Sequence, residues 1–71
     1  MDIKELPKYA HIEFELKDWP GIKYRGQLRG IIHSVDNYCF DRNGKAFWIT
    51  SDNGIEIFDD IENILSLKVL D

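Results

Sequence analysis

The sequence has few of the residues that crosslink a small fold or bind a metal. It contains one cysteine, Cys39, and two histidines among its 71 residues. A single thiol cannot form an internal disulfide, and one thiol with two imidazoles does not supply the ligands of a thiolate zinc site. We therefore expect no disulfide, no metal site and no cofactor, and a fold that depends on its hydrophobic core.

Long hydrophobic runs are also absent. The apolar runs are a few residues long, and the N-terminal stretch MDIKELPK is charged and interrupted by Pro7. A membrane-spanning helix needs about 20 consecutive apolar residues, and a signal peptide needs a continuous apolar central region. The sequence therefore predicts no membrane-spanning helix and no signal peptide. We expect a cytoplasmic protein that does not associate with membranes.

The chain is short for an enzyme. A single small core buries only about 60% of the surface of the unfolded chain, which leaves little stability to hold a strained, water-excluding pocket. Cys39 and His33 lie six positions apart, but no third member or oxyanion donor accompanies them. We predict a non-enzymatic protein.

Negative charge is concentrated in the last third of the chain. The formal net charge is −4. Residues 1–45 hold eight Lys and Arg against seven Asp and Glu, whereas residues 46–71 hold one Lys against six acids. An acidic balance opposes general binding to nucleic acid or to anionic membranes, because phosphate contacts supply most non-specific affinity. A protein with a basic surface is the expected partner.

Alternation of polar and apolar residues predicts β-strands. Residues 11–17 place Ile12, Phe14 and Leu16 on one face, and a turn at Pro20-Gly21 precedes a second alternating run. This pattern predicts antiparallel pairing of residues 11–17 with residues 22–29. In the second run, Gly26 and Gly30 occupy positions predicted to face inward.

Turn signals divide the second half of the chain. Asn43-Gly44 and Asn53-Gly54 separate short apolar runs, as in β-hairpins, and the acids after Phe58 favour a helical turn near residues 59–63. A final alternating run follows. We predict an all-β fold: a small five- to six-stranded antiparallel SH3-like or Sm-like barrel, with one short helical turn before the last strand. Residues 10–71 form this single domain, and residues 1–9 form an arm or a short helix.

Two segments resemble the motifs of the Sm-like family. Residues 24–28 and 35–38 are similar to its first motif, a glycine-bearing strand followed by an aspartate-led turn, and residues 55–61 with Ile64 are similar to the frame of its second. The resemblance covers residues 11–69 and implies a small barrel. Phe40 and Phe58 stand where the family carries its RNA-reading Asn and Arg, so the resemblance implies the fold without the RNA contacts.

The chain is also similar to the Rho-binding antiterminator family, in which an Sm-type barrel acts as a protein inhibitor. Lys17-Asp18 is similar to that family's turn after the first strand, and residues 58–61 are similar to its Leu-Asp-x-Ile segment. This resemblance implies a regulator that binds a protein.

A row of cations on the second strand has two interpretations. Lys23, Arg25 and Arg29 could follow a phosphate backbone, or they could pair with Glu13 and Glu15 on the neighbouring strand. We favour the pairing. Binding of single-stranded nucleic acid through these cations, in an Sm-like manner, is the alternative function.

The candidate binding site is aromatic and acidic. Strict alternation cannot turn Phe47, Trp48 and Ile49 all inward, so either Trp48 or the other two face outward. The predicted partner-binding residues are Trp48, Phe58, Asp59, Asp60 and Glu62. An apolar anchor surrounded by acids suits a small protein-binding module that inhibits or regulates a partner through the partner's basic surface. The oligomeric state is left open.

Overall fold

The computed structural model describes residues 2–70, which form an antiparallel β-structure with two single-turn 3-10 helices. The strands are β1 (His11–Leu16), β2 (Tyr24–Ser34), β3 (Asn37–Phe40), β4 (Ala46–Ser51), β5 (Glu56–Asp60) and β6 (Ile64–Val69). The 3-10 turns span Ile3–Glu5 and Ile61–Asn63. The helical turn predicted before the last strand is therefore present. Met1 and Asp71, the ends of the predicted ranges 1–9 and 10–71, lie outside the described residues.

All six strands belong to one sheet in the order β5-β4-β2-β1-β6, and β3 pairs with β2. The predicted all-β antiparallel fold is confirmed. Between residues 2 and 70 no ladder joins β5 to β6, so the sheet is open rather than a closed barrel. The principal extents of the described chain, 28 × 25 × 24 Å, are nearly equal in all three directions. None of the helices in this range is long and apolar enough to cross a membrane.

The first hairpin follows from the alternation of β1. Its apolar side chains are buried and its polar side chains half-buried, and His11 lies opposite Gln27 while Phe14 lies opposite Tyr24. Gly21 adopts φ +90° in the connecting turn, a conformation that side chains with a Cβ rarely adopt. The predicted antiparallel pairing of residues 11–17 with residues 22–29 is confirmed for residues 11–14, which pair with residues 24–27.

The core lies on the inner face of the sheet and is closed at one end by the N-terminal segment. Ile3 is buried in it, and the Asp2 carboxylate accepts a hydrogen bond from the Lys4 backbone N–H at 2.9 Å, which caps the first 3-10 turn. The buried cluster comprises Ile3, Ala10, Ile12, Phe14, Leu16, Leu28, Phe47 and Ile49.

A bulge in β2 reverses the expected orientation of one glycine. Leu28 lies opposite the buried Ile49, but the register then shifts, so that Gly30 lies opposite Trp48. The extra residue, Arg29, moves the alternation by one position. The prediction that Gly30 faces inward is therefore wrong, and the outer side of β2 has a backbone without a side chain at this point.

Candidate functional site

Strand β4 turns Trp48 outward. Phe47 and Ile49 are completely buried, whereas Trp48 is half-buried on the opposite side of the strand. Trp48 lies across from Phe58 of β5, so both rings are on the outer side of the sheet, and Ile57 packs against the core instead. The orientation that the sequence left open is thereby settled.

Four rings form a continuous stack on this outer side, which we call the aromatic face: Tyr38, Phe40, Trp48 and Phe58. Ring centroids are 4.6 Å apart for Tyr38 and Phe58, 5.7 Å for Trp48 and Phe58, and 6.0 Å for Phe40 and Trp48, with interplanar angles of 17–21°. Tyr38 is 59% exposed and Phe40 is 63% exposed. Clustered aromatic surface of this kind is typical of interaction sites.

The bulge in β2 makes room for the aromatic face. A Cβ at Gly30 would lie 2.5 Å from a carbon of the Phe40 ring, so the ring occupies the space that a side chain would take. At the start of β3, the Asn37 side chain accepts a hydrogen bond from the Cys39 backbone N–H at 3.1 Å. Tyr38 and Phe40, two positions apart on this short strand, both stack on the outer side.

The outer side of β5 places carboxylates next to these rings. Glu56, Phe58 and Asp60 alternate on one side of the strand, opposite Thr50, Trp48 and Ala46. The Glu56 carboxylate accepts hydrogen bonds from the Trp48 indole N–H and, at 2.9 Å, from the Thr50 hydroxyl. The hydrogen bond from the indole, and to a smaller extent that from Thr50, lowers the pKa of Glu56. The indole hydrogen bond also orients the Trp48 ring.

Asp59 and Asp60 have different roles although they are neighbours. Asp59 lies on the other side of β5, opposite Phe47, and its Oδ1 accepts hydrogen bonds from the Asp60 N–H at 2.7 Å and the Asn63 side-chain amide at 2.8 Å. Asp60 makes no side-chain capping bond to the second 3-10 turn, and Glu62 is exposed in that turn. Of the predicted binding residues, the structure thus brings together Trp48, Phe58 and Asp60, places Glu62 in the adjacent turn, and uses Asp59 to hold that turn.

Cations and another aromatic ring lie beside Trp48 and Phe40. The Arg29 guanidinium lies 5.0 Å from the Trp48 ring centroid and 5.5 Å from that of Tyr9, and its Nη1 donates to the Thr50 hydroxyl at 3.2 Å. Lys8 lies 5.1 Å from the Tyr9 centroid and 6.0 Å from that of Phe40. Cations over ring faces at such distances are attracted by the ring quadrupole.

The three predicted nucleic-acid-binding cations do not form one free row. Lys23 forms an ion pair with Glu15, and Arg25 Nε lies 2.7 Å from Glu13. These hydrogen bonds lower the pKa of both carboxyls and raise the pKa of Lys23. Arg29, the third cation, packs on the aromatic rings instead.

Sequence reasoning missed several residues of this surface. Glu56 could have been found, because it lies two positions before Phe58 and therefore on the same side of the strand. Lys8 and Tyr9 carry no periodic signal. Their position depends on a tertiary hydrogen bond, from the Tyr9 N–H to the Leu28 carbonyl at 2.6 Å.

Metal-ligating groups are dispersed in the part of the chain that the structure describes. No group of three His, Cys, Asp or Glu side chains there could hold a metal ion. His33 Nδ1 lies 3.4 Å from Asp41, and Cys39 is exposed.

None of the protein-family models, curated proteins or solved structures compared with the chain matches it. The similarities to the Sm-like and Rho-binding antiterminator families stay predictions from the sequence. Function is therefore inferred from the geometry of the aromatic face.

Proposed function

We propose that this chain is a non-enzymatic, cytoplasmic protein-binding module that inhibits or regulates a partner protein docked on the aromatic face. The observation that carries the proposal is the stack of four aromatic rings on the outer side of the sheet, two of them more than half exposed. Rigid aromatic side chains supply large apolar contact area and are enriched among the residues that dominate binding energy.

Charge at the border of the face supports a basic partner surface. Glu56 and Asp60 lie on the same side of β5 as Phe58, and Glu62 follows in the second 3-10 turn. Such carboxylates steer a basic surface toward the apolar centre and select against acidic proteins. The role that the sequence predicted for Asp59 passes to Glu56 in this proposal, because Glu56 lies on the same side of β5 as Phe58, whereas Asp59 lies on the other side, opposite Phe47.

Binding of single-stranded nucleic acid through Lys23, Arg25 and Arg29 has less support. Two of these cations already pair with Glu15 and Glu13, and breaking those pairs would oppose phosphate binding. The acids beside the aromatic face would also repel a phosphate backbone that extended across it.

Affinity capture with matched variants tests the proposal. The wild-type chain, a face variant with Tyr38→Ser and Phe40→Ser, and a control variant with Trp19→Ser and Ile22→Ser are immobilised and exposed to lysate of the source cell. The control removes apolar surface of similar exposure, since Trp19 and Ile22 are 60% and 48% exposed and lie outside the aromatic face. Thermal melts of all three chains check that each is folded.

We expect a basic protein that the wild type and the control retain and the face variant loses, with retention that falls as salt is raised. Docking on the aromatic face would be contradicted if all three chains captured the same proteins, or if only the control variant failed to capture the basic protein.

A further inference from the structure

A groove runs beside the aromatic face because β1 and β3 share one edge of β2. Gly26 pairs with both Ile12 and Ser51, and β4 occupies the other edge throughout. The β1 ladder on β2 ends at Gln27 and the β3 ladder begins at Ile32, so residues 28–31 lie between the two strands at the bottom of the groove.

This groove is strongly basic, although the chain as a whole is acidic. We call it the basic groove; its lining includes Lys4, Lys8, Arg29, Phe40, Asp41 and Arg42. Four of the ten lining residues are cations, and within residues 2–70 none of the four forms an ion pair. The single acid, Asp41, already accepts a hydrogen bond from the Asn43 N–H at 2.9 Å and lies beside His33.

The backbone next to the groove is strained. Tyr9 adopts φ +69°, in the left-handed region that aromatic residues rarely occupy. Its N–H is hydrogen-bonded to the Leu28 carbonyl, and the charged groups of Lys8 and Arg29 both lie near its ring. Strain of this kind is concentrated at functional sites, where the surrounding structure holds it in place.

We infer that the basic groove binds an acidic segment of the partner protein that carries an aromatic side chain. The inference rests on the proposed protein-binding function and adds a second, oppositely charged contact to it. The cations match carboxylates, and the exposed ring of Phe40 gives an aromatic side chain a stacking surface. Phe40 also stacks on Trp48, so the groove continues into the aromatic face and one partner can occupy both.

The surrounding charge favours a short acidic peptide over a nucleic acid strand. The four cations line the groove, and Asp60 lies on the outer side of β5. Glu56 accepts a hydrogen bond from the Thr50 hydroxyl, to which Arg29 donates. A phosphate backbone that extended beyond the groove would meet these carboxylates and the net charge of −4. A few carboxylates within the groove meet four cations and one acid, Asp41, so the charge around them is positive on balance.

Titration with defined probes tests this inference on the full chain. The probe is a blocked peptide of four glutamates around one phenylalanine, and the comparison probes are the same peptide with four lysines and a five-nucleotide oligothymidylate. Backbone amide and tryptophan indole NMR signals report where each probe binds. The variants are Lys8→Glu and Arg42→Glu in the groove, and Lys17→Glu as a control with the same change in net charge at an exposed residue outside it.

The acidic peptide is expected to shift the amide NMR signals of Lys8, Phe40 and Arg42. Each groove variant is expected to weaken the affinity for this peptide on the order of fivefold or more, whereas Lys17→Glu should change it by less than about twofold. Equal weakening by the control, shifts of the same groove amides by the lysine peptide, or tighter binding of the oligothymidylate would overturn the inference. If affinity capture finds no partner that depends on the aromatic face while the acidic peptide still binds, the docking proposal is wrong and the basic groove remains a binding site for acidic peptides.

Discussion

Two adjacent acids, Asp59 and Asp60, provide a sharp test of how β5 divides its residues between structure and recognition. The perturbations are Asp59→Ala and Asp60→Ala, each in the otherwise native chain. Asp59 is half-buried, and its carboxylate accepts hydrogen bonds from the Asp60 N–H and the Asn63 amide. Asp60 is half-buried on the outer side and makes no side-chain capping bond.

The expected magnitudes follow from these contacts. A buried hydrogen bond to a charged acceptor contributes about 1.5–3 kcal/mol to stability. Because Asp59 is only half-buried and one of its two donors is the neighbouring Asp60 N–H, we expect its two hydrogen bonds to contribute about 1–2 kcal/mol in total. For a domain of this size, 1 kcal/mol corresponds to a change in Tm of roughly 4–8 °C. Asp59→Ala should therefore lower Tm by about 5–15 °C, whereas Asp60→Ala should change the unfolding free energy by less than about 0.5 kcal/mol.

Thermal unfolding followed by far-UV circular dichroism at neutral pH measures both variants against the wild type. Asp59→Asn serves as a control, because its side-chain oxygen still accepts hydrogen bonds, and its Tm should lie between the wild type and Asp59→Ala. Equal melting temperatures for the two alanine variants, or a larger loss for Asp60→Ala, would refute the assignment of Asp59 to structure and Asp60 to recognition.

Three further changes probe the core and the aromatic face. Phe47→Ala should reduce the unfolding free energy by about 3–5 kcal/mol in a denaturant titration, because the ring is fully buried; a loss below about 1 kcal/mol would contradict its place in the core. Because the pKa of Glu56 is lowered in the folded chain, its hydrogen bond to Trp48 stabilises the fold at pH values above the usual glutamate pKa and is lost as the pH falls through the lowered pKa. The fluorescence emission of the indole should therefore change at pH values below the usual glutamate pKa, and it should stay constant in Glu56→Gln. Gly30→Ala should push the Phe40 ring away from Trp48, changing the indole NMR shift with a stability loss under about 1 kcal/mol, and an unchanged shift would contradict the packing.

The fold was largely predictable because its signals are local. Strict alternation over residues 11–17 and the Asn-Gly pairs at residues 43–44 and 53–54 fix strands and reversals within a few residues of sequence. The acids after Phe58 identified the second 3-10 turn in the same way. The bulge at Arg29 was not predictable from alternation, since a single extra residue leaves the pattern on each side of it intact.

The binding surface was only partly predictable because it is assembled across strands. The sequence identified Trp48 and Phe58 as candidates, but their contact depends on the register of β4 with β5. It grouped Asp59 with Asp60, although adjacent strand residues point to opposite sides. The basic groove was missed altogether. Lys8 and Arg42 are far apart in sequence and meet only because β1 and β3 share an edge of β2.

The most direct test of the aromatic face as a docking surface is cross-saturation NMR on the complex with the captured partner. Saturation applied to the partner's protons should pass to the amides of Tyr38, Phe40, Trp48 and Phe58 and attenuate their signals. Attenuation confined to residues around Trp19 and Ile22, with the aromatic face unaffected, would contradict the proposal.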